Sequence, residues 1–170
     1  MPEKFLILRT DGQISERAGT DQSTGTTDAG KIVALDTTGK LHLSLFPTGI
    51  GPQLVTLQAA EALNTGDFVN IFNAGGVAKV RKAEATAGKE AHGFVLNSAT
   101  AGSNVDVYFS DENTLLSGLT PGAIYFLSTV PGQVTTTRPT GANAIVQKVG
   151  VATSTTSLFF QPSQPIILID

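Results

Sequence analysis

The sequence contains no cysteine and no tryptophan, and it has only two histidines among its 170 residues. Without cysteine the chain can form no disulfide, no thiolate nucleophile and no zinc–thiolate site. Charged residues make up 15% of the chain, whereas soluble domains typically contain about 25%. These shortages exclude several classes of catalytic and metal-binding protein and leave a chain rich in glycine and small polar residues.

Positive charge is also scarce. Lysine and arginine together number 11 against 14 acidic residues, for a net charge of −3. Proteins that bind nucleic acid normally present a basic face, because phosphate contacts supply much of their affinity. The longest apolar runs, at residues 123–127 and 166–169, fall far short of the roughly 20 residues that a membrane-spanning helix needs. We therefore expect neither nucleic acid nor a membrane as a partner.

The C-terminal stretch from Gly118 to Ile169 alternates short β-prone runs with Pro-Gly turns. In Leu119–Gly122 and in Val130–Gln133, proline presets φ and the following glycine accepts the positive φ that a type II turn requires. The runs between these turns are rich in β-branched and aromatic residues, which favours strands. The predicted strands cover residues 123–127, 145–151, 157–160 and 166–169.

The middle of the chain is also predicted to form strands. Val105, Val107 and Phe109 alternate with polar residues, the pattern of a half-buried strand. Residues 68–72 and 77–82 predict a hairpin, and strands are predicted at 54–59 and 92–96. No segment shows a convincing helical period, and about nine or ten short strands with regular turns are typical of a sandwich or barrel. The sequence therefore predicts an all-β protein, with a β-sandwich or β-barrel domain over residues 52–170.

Residues 1–51 are predicted to form an extended N-terminal arm with short strands and a flexible linker. Residues 18–30 are small, polar and aperiodic, so they bury too little apolar area to offset the entropy of ordering. Further on, Leu41, Leu43 and Leu45 alternate with polar residues, which predicts three leucines on one face of a strand. This leucine stripe, Leu41, Leu43 and Leu45, either covers part of the main domain or lies against a partner protein. The sequence pattern is compatible with both.

Candidate catalytic groups are few. His92 opens an apolar strand and is interpreted as a hydrogen-bonded structural residue, while His42 is expected to be exposed. Neither belongs to a metal-binding motif such as HExxH. Asp106, Asp111 and Glu112 form the one carboxylate cluster, but they lack the spacing of a calcium loop and turn carboxylates are normally solvated. We therefore predict no catalytic residue, no metal site and no cofactor.

Aromatic residues are the candidates for sugar binding, because glycan sites commonly use aromatic platforms. Tyr108 points away from the face that carries Val105, Val107 and Phe109, which would place it on a surface. The favoured interpretation is a partly packed surface tyrosine.

Two stretches resemble structural proteins of phage virions. Residues 29–51, AGKIVALDTTGKLHLSLFPTGIG, are similar to an N-terminal arm found in phage head decoration proteins and in head or tail fibre proteins. Residues 114–168, with the LTPG and PG turns, the QKVGVA strand and the FQPSQP end, resemble the C-terminal part of phage capsid decoration (cement) proteins. Together the two stretches cover somewhat under half of the chain.

The resemblance implies a non-enzymatic capsid decoration protein on the outer surface of the phage head. It further implies a homotrimer that binds the major capsid protein. The residues expected to contact a neighbouring subunit or the shell are Leu41, Leu43, Leu45, Phe46 and Ile50. One rival is a head or tail fibre protein that recognises a host receptor, although the chain lacks the internal repeats common in fibres. The other rival is a virion-bound hydrolase, which would require a clustered acid–base pair.

Overall fold

The computed structural model describes residues 4–37, 39–47, 53–86 and 88–169. The chain divides into two compact units, Met1–Gly51 and Pro52–Asp170. Within the described residues the regular structure consists of strands and two short 3-10 helices, which confirms the predicted all-β class. No helix in this part of the chain is long and apolar enough to cross a membrane.

The first unit begins with an antiparallel hairpin of β1 (Lys4–Leu8) and β2 (Ile14–Ala18). Two 3-10 helices follow, at Thr26–Asp28 and Leu43–Leu45. The predicted strand through the leucine stripe is therefore wrong. The imidazole of His42 accepts a hydrogen bond from the amide of Ser44 at 3.1 Å and caps the second helix, and this local bond competes with a strand.

The predicted linker carries hydrogen bonds that its composition did not indicate. The carboxylate of Asp28 accepts bonds from the amide and the hydroxyl of Thr24 at 2.5 and 2.8 Å. The amide of Ser23 donates to the hydroxyl of Ser44 at 2.8 Å, which ties the two 3-10 regions together. The first unit is thus a hairpin followed by hydrogen-bonded loops, and its description as an extended arm is not confirmed.

The second unit contains a closed barrel of five strands with the order β3-β5-β4-β6-β7. β3 runs parallel to β5, and the other neighbouring pairs are antiparallel. The predicted hairpin corresponds to β4 and β5, and the strand predicted from Val105 and Val107 corresponds to β7. The barrel strands are β3 (Leu54–Ala59), β4 (Phe68–Ala74), β5 (Val77–Lys82), β6 (Gly93–Val95) and β7 (Asn104–Tyr108).

Within the described residues seven strands follow the barrel, and five of them form an antiparallel sheet with the order β10-β9-β12-β13-β8. The other two, β11 and β14, pair with each other. The seven strands are β8 (Asp111–Asn113), β9 (Ile124–Leu127), β10 (Val134–Thr135), β11 (Ile145–Val146), β12 (Lys148–Ala152), β13 (Leu158–Phe160) and β14 (Ile166–Ile167).

The Pro-Gly turn that joins β9 to β10 has the predicted geometry. The amide of Gln133 donates to the carbonyl of Val130 at 3.2 Å, and Gly132 has a φ of 79°. Residues with a side chain rarely adopt this conformation, so glycine is the residue that fits the third position of the turn. The turn fixes where the two strands of this hairpin end.

Two apolar clusters form the core of the second unit. Valines from the barrel strands, with Ala59 and Leu63, make up one cluster. The other joins the barrel to the five-stranded sheet through three phenylalanines, since Phe160 of the sheet lies with its ring centre 5.9 Å from Phe68 and 5.6 Å from Phe94. The opposite face of the sheet is open to solvent, where Phe159 is 48% exposed.

Candidate interaction surface

The first unit exposes most of its large apolar side chains. None of residues 4–37 and 39–47 is fully buried. Burial of apolar area is the main driving force for packing, so this unit draws little stability from a core of its own. The exposed large apolar residues here are Leu6, Leu8, Ile14, Ile32, Val33, Leu35, Leu41, Leu43 and Phe46.

One face of the hairpin is apolar and open to solvent. Leu8 lies directly opposite Ile14 in the register of the two strands, and Leu6 is on the same face because residues two apart share a side. These three side chains are 69% (Leu6), 75% (Leu8) and 68% (Ile14) exposed. An exposed ion pair between Lys4 and Glu16, at 2.8 Å, borders the patch. Such surface pairs contribute little stability, so the apolar side chains are the notable property of this face.

A groove of about 660 Å³ lies beside the hairpin within the same unit. Backbone bonds hold two of the lining segments together, since the amide of Thr20 donates to the carbonyl of Ile32 at 2.9 Å and its carbonyl accepts from the amide of Ala34 at 2.8 Å. These bonds form an isolated parallel bridge between Thr20 and Val33. The residues that line the groove are mainly apolar: Lys4, Phe5, Gly19, Asp21, Ile32, Val33, Ala34 and Leu35.

Four of the five predicted contact residues, Leu41, Leu43, Leu45 and Phe46, lie in or beside the second 3-10 helix. Leu41, Leu43 and Phe46 are exposed, at 45%, 48% and 39%, whereas Leu45 is half-buried. Ile50 lies outside the described residues. The structure therefore leaves three of the five predicted residues accessible to a partner.

The first 3-10 region is held by a carboxylate. Lys31 donates to Asp28 at 2.5 Å, and Thr24 donates to the same carboxylate. The hydrogen bond from Lys31, followed by those from Thr24, lowers the pKa of Asp28 to about 2. The carboxylate therefore remains ionised, and its bonds remain in place, throughout the neutral and mildly acidic range.

Both histidines have structural hydrogen bonds. The Nδ1 atom of His92 accepts from the amide of Ile71 at 3.0 Å, and its Nε2 atom lies 3.3 Å from the carboxylate of Glu90. His92 is thus hydrogen-bonded, as predicted. His42 is half-buried and caps the second 3-10 helix.

The three carboxylates of the predicted cluster accept hydrogen bonds from different donors. Asp106 accepts from the hydroxyl of Thr56 at 2.6 Å, while Glu112 accepts from the hydroxyl of Thr153. Asp111 accepts from the amide of Glu112 at 2.8 Å. Across the described ranges, no group of three or more histidine, cysteine, aspartate or glutamate side chains is placed to hold a metal ion.

Tyr108 is partly packed, as predicted. Its ring stacks on Phe94 with centres 5.5 Å apart and an interplanar angle of 20°. Burial of the hydroxyl, with smaller contributions from Asp106 and Asp111, raises the pKa of Tyr108 above its ordinary value. The stacked ring is engaged with the core on one side and is not an open aromatic platform.

The apolar face of the hairpin was not predicted from the sequence. The available signal was the spacing of Leu6 and Leu8, which are two residues apart and therefore share one face of a strand. Comparison with known proteins adds no family assignment: no protein-family model matches the chain, and no curated protein matches it.

Proposed function

We propose that this chain is a structural protein of a phage virion, a capsid decoration or cement protein that binds the outer surface of the head and stabilises the shell. The observation that carries the proposal is the contrast between the two units. The second unit has a buried core of its own, whereas the described part of the first unit has none and exposes large apolar side chains. Such a combination suits a rigid body that is attached through an adhesive segment.

Stabilisation of the shell requires no chemistry. A protein that binds the assembled shell but not the free subunits shifts the equilibrium toward the shell by mass action. Burial of one large apolar side chain contributes about 1.5–3 kcal/mol, and part of this gain is lost to the ordering of side chains at the interface. A few exposed residues of the first unit are therefore enough for useful binding when several copies act together.

The resemblance to decoration proteins supports a homotrimer as the binding unit. Linked copies bind with an effective concentration that raises the overall affinity well above that of one contact. In this proposal Leu41, Leu43, Leu45, Phe46 and Ile50 contact the major capsid protein or a neighbouring copy. In this proposal the exposed face of the hairpin, with Leu6, Leu8 and Ile14, is a second apolar surface of the same unit that takes part in the contact.

A binding assay with phage heads tests the proposal. Heads that lack this protein are mixed with the purified full chain, and the bound fraction is measured by sedimentation. The variant Leu41→Ser/Leu43→Ser/Phe46→Ser should bind about 100-fold more weakly, which corresponds to roughly 3 kcal/mol of lost apolar burial. A matched control changes Val77 and Val130, each 58% exposed on the second unit, to serine.

The control should bind as the unchanged chain does, and circular dichroism should show that both variants keep their strands. Undiminished binding by the leucine and phenylalanine variant would contradict the role of the first unit. Failure of the unchanged chain to bind heads at all would contradict the proposed function.

A further inference from the structure

A recess in the second unit combines one arginine with several hydroxyl side chains. It lies where β9 and β10 end, has a volume of about 300 Å³ and is lined by Ser128, Thr129, Thr135, Thr137, Arg138 and Thr140, with Pro139 as its apolar wall. A neighbouring recess of about 330 Å³ shares Thr129 and Thr140 with it. Volumes of this order lie at the lower end of the range for small-molecule sites.

The polar groups of the recess are poised to donate hydrogen bonds. The hydroxyl oxygen of Ser128 already accepts from the amide of Val130 at 3.0 Å, and that of Thr135 accepts from the amide of Thr137 at 3.1 Å. Each of these hydroxyls keeps its proton for an outside acceptor. No aspartate or glutamate lines either recess among the residues that the structure describes. The ligand that fits is rich in acceptor oxygens.

Arg138 supplies the positive charge. Its guanidinium lies 5.4 Å from the ring centre of Phe126, an arrangement in which the aromatic face attracts the cation and orients it. Within the described ranges no carboxylate lies at ion-pairing distance from Arg138. A guanidinium matches a carboxylate in a planar, two-bond geometry.

One side of the recess, at Ser128, is held by backbone hydrogen bonds. The amide of Ala85 donates to the carbonyl of Ser128 at 2.7 Å, and the amide of Ser128 donates to the carbonyl of Gln133 at 3.0 Å. The amide of Ile145 donates in turn to the carbonyl of Ala85 at 3.2 Å. These bonds join three segments distant in sequence and hold the Ser128 side of the recess in place, so this side loses little to ordering when a ligand binds.

We propose that this recess binds an acidic saccharide, with the carboxylate of a hexuronic acid unit on Arg138 and the sugar hydroxyls on the surrounding threonines. The inference goes beyond the attachment of the chain to a capsid and does not depend on it. In this assignment Arg138 selects for a negatively charged ligand. Thr129 and Thr140 line both recesses and can bind neighbouring sugar units. Two recesses in succession suit a chain of linked sugars.

The test is a titration of the isotope-labelled full chain, followed by NMR amide shifts. The probes are an oligogalacturonide, galactose oligomers as the neutral counterpart, and sodium sulfate as an anion without sugar hydroxyls. The oligogalacturonide should shift the amides of residues 128–140 and bind at least tenfold more tightly than either other probe, since bonds to charged groups are the stronger ones. Arg138→Gln should weaken this binding about tenfold or more.

Lys79→Gln provides the matched control, because it removes the same charge from β5, which does not line the recess. It should leave the affinity unchanged. Three results would overturn the inference: equal affinity for the oligogalacturonide and for sulfate, which indicates a simple anion site; no shift of the recess amides with any probe; or unchanged affinity in Arg138→Gln.

Discussion

Truncation of Phe160 to alanine should destabilise the second unit by about 3–5 kcal/mol, the usual cost of removing a buried phenylalanine. Phe160 is 2% exposed, and its ring lies 5.9 Å from Phe68 and 5.6 Å from Phe94. Because these two partners belong to the barrel and Phe160 belongs to the sheet, the substitution removes contacts on which both parts of the core depend. The loss is a large fraction of the roughly 5–15 kcal/mol that holds a typical domain folded.

The measurement is urea unfolding of the full chain, followed by circular dichroism. Phe159→Ala is the matched control, since Phe159 neighbours Phe160 on β13 but is 48% exposed. We expect the control to cost under about 1 kcal/mol, as substitutions away from a core usually do. The shared core would be refuted if the two variants lost equal amounts of unfolding free energy. It would also be refuted if, in Phe160→Ala, the sheet unfolded separately while the barrel stayed folded.

Three further predictions concern single side chains. Asp67→Ala should lower the free energy of unfolding by about 3 kcal/mol in a urea titration. Asp67 is 2% exposed and its carboxylate lies 3.1 Å from the Lys82 ammonium. Removal of the carboxylate leaves the charge of Lys82 unpaired. Gly150→Ala should cost about 1–3 kcal/mol in the same assay, because the added methyl group would meet the backbone carbonyl of Phe159. Carboxyl NMR should give Asp28 a pKa near 2. Because folding lowers this pKa, the stability contributed by the ionised carboxylate is fully present above about pH 4 and is lost as the pH falls toward 2.

Each of these has a clear contrary result. A stable Asp67→Ala protein would mean that the pair with Lys82 contributes nothing. Unchanged stability of Gly150→Ala would mean that β12 and β13 are far enough apart at Gly150 to accommodate a methyl group. An ordinary pKa for Asp28, near the reference value of 3.8, would mean that the bonds from Lys31 and Thr24 are absent in solution.

The fold class was predictable because strand signals are local. Alternation at Val105 and Val107 identified β7, and the Pro-Gly pair at Val130–Gln133 identified a turn. Closure of the barrel was not predictable, since β3 pairs with β7 from a distance of about 50 residues along the chain. No local pattern encodes a pairing of this kind, or the parallel contact between β3 and β5.

The first unit shows why local alternation also misleads. The leucine stripe has the period of a strand, yet His42 caps a 3-10 helix at Leu43–Leu45, because a side chain that accepts a nearby amide offers the backbone another conformation. The polar recess around Arg138 was missed for a different reason. Its walls come from segments near residues 85, 128 and 140, which only the folded chain brings together.

Cryo-electron microscopy of intact particles tests the central proposal most directly. Under this proposal, phage particles that carry the chain would be compared with particles of a mutant that lacks its gene. The account predicts density for the five-stranded barrel on the outer surface of the head, with the first unit in contact with the coat, and its disappearance in the deletion. Absence of this chain from mature heads, or its location only on a tail or fibre, would contradict the account.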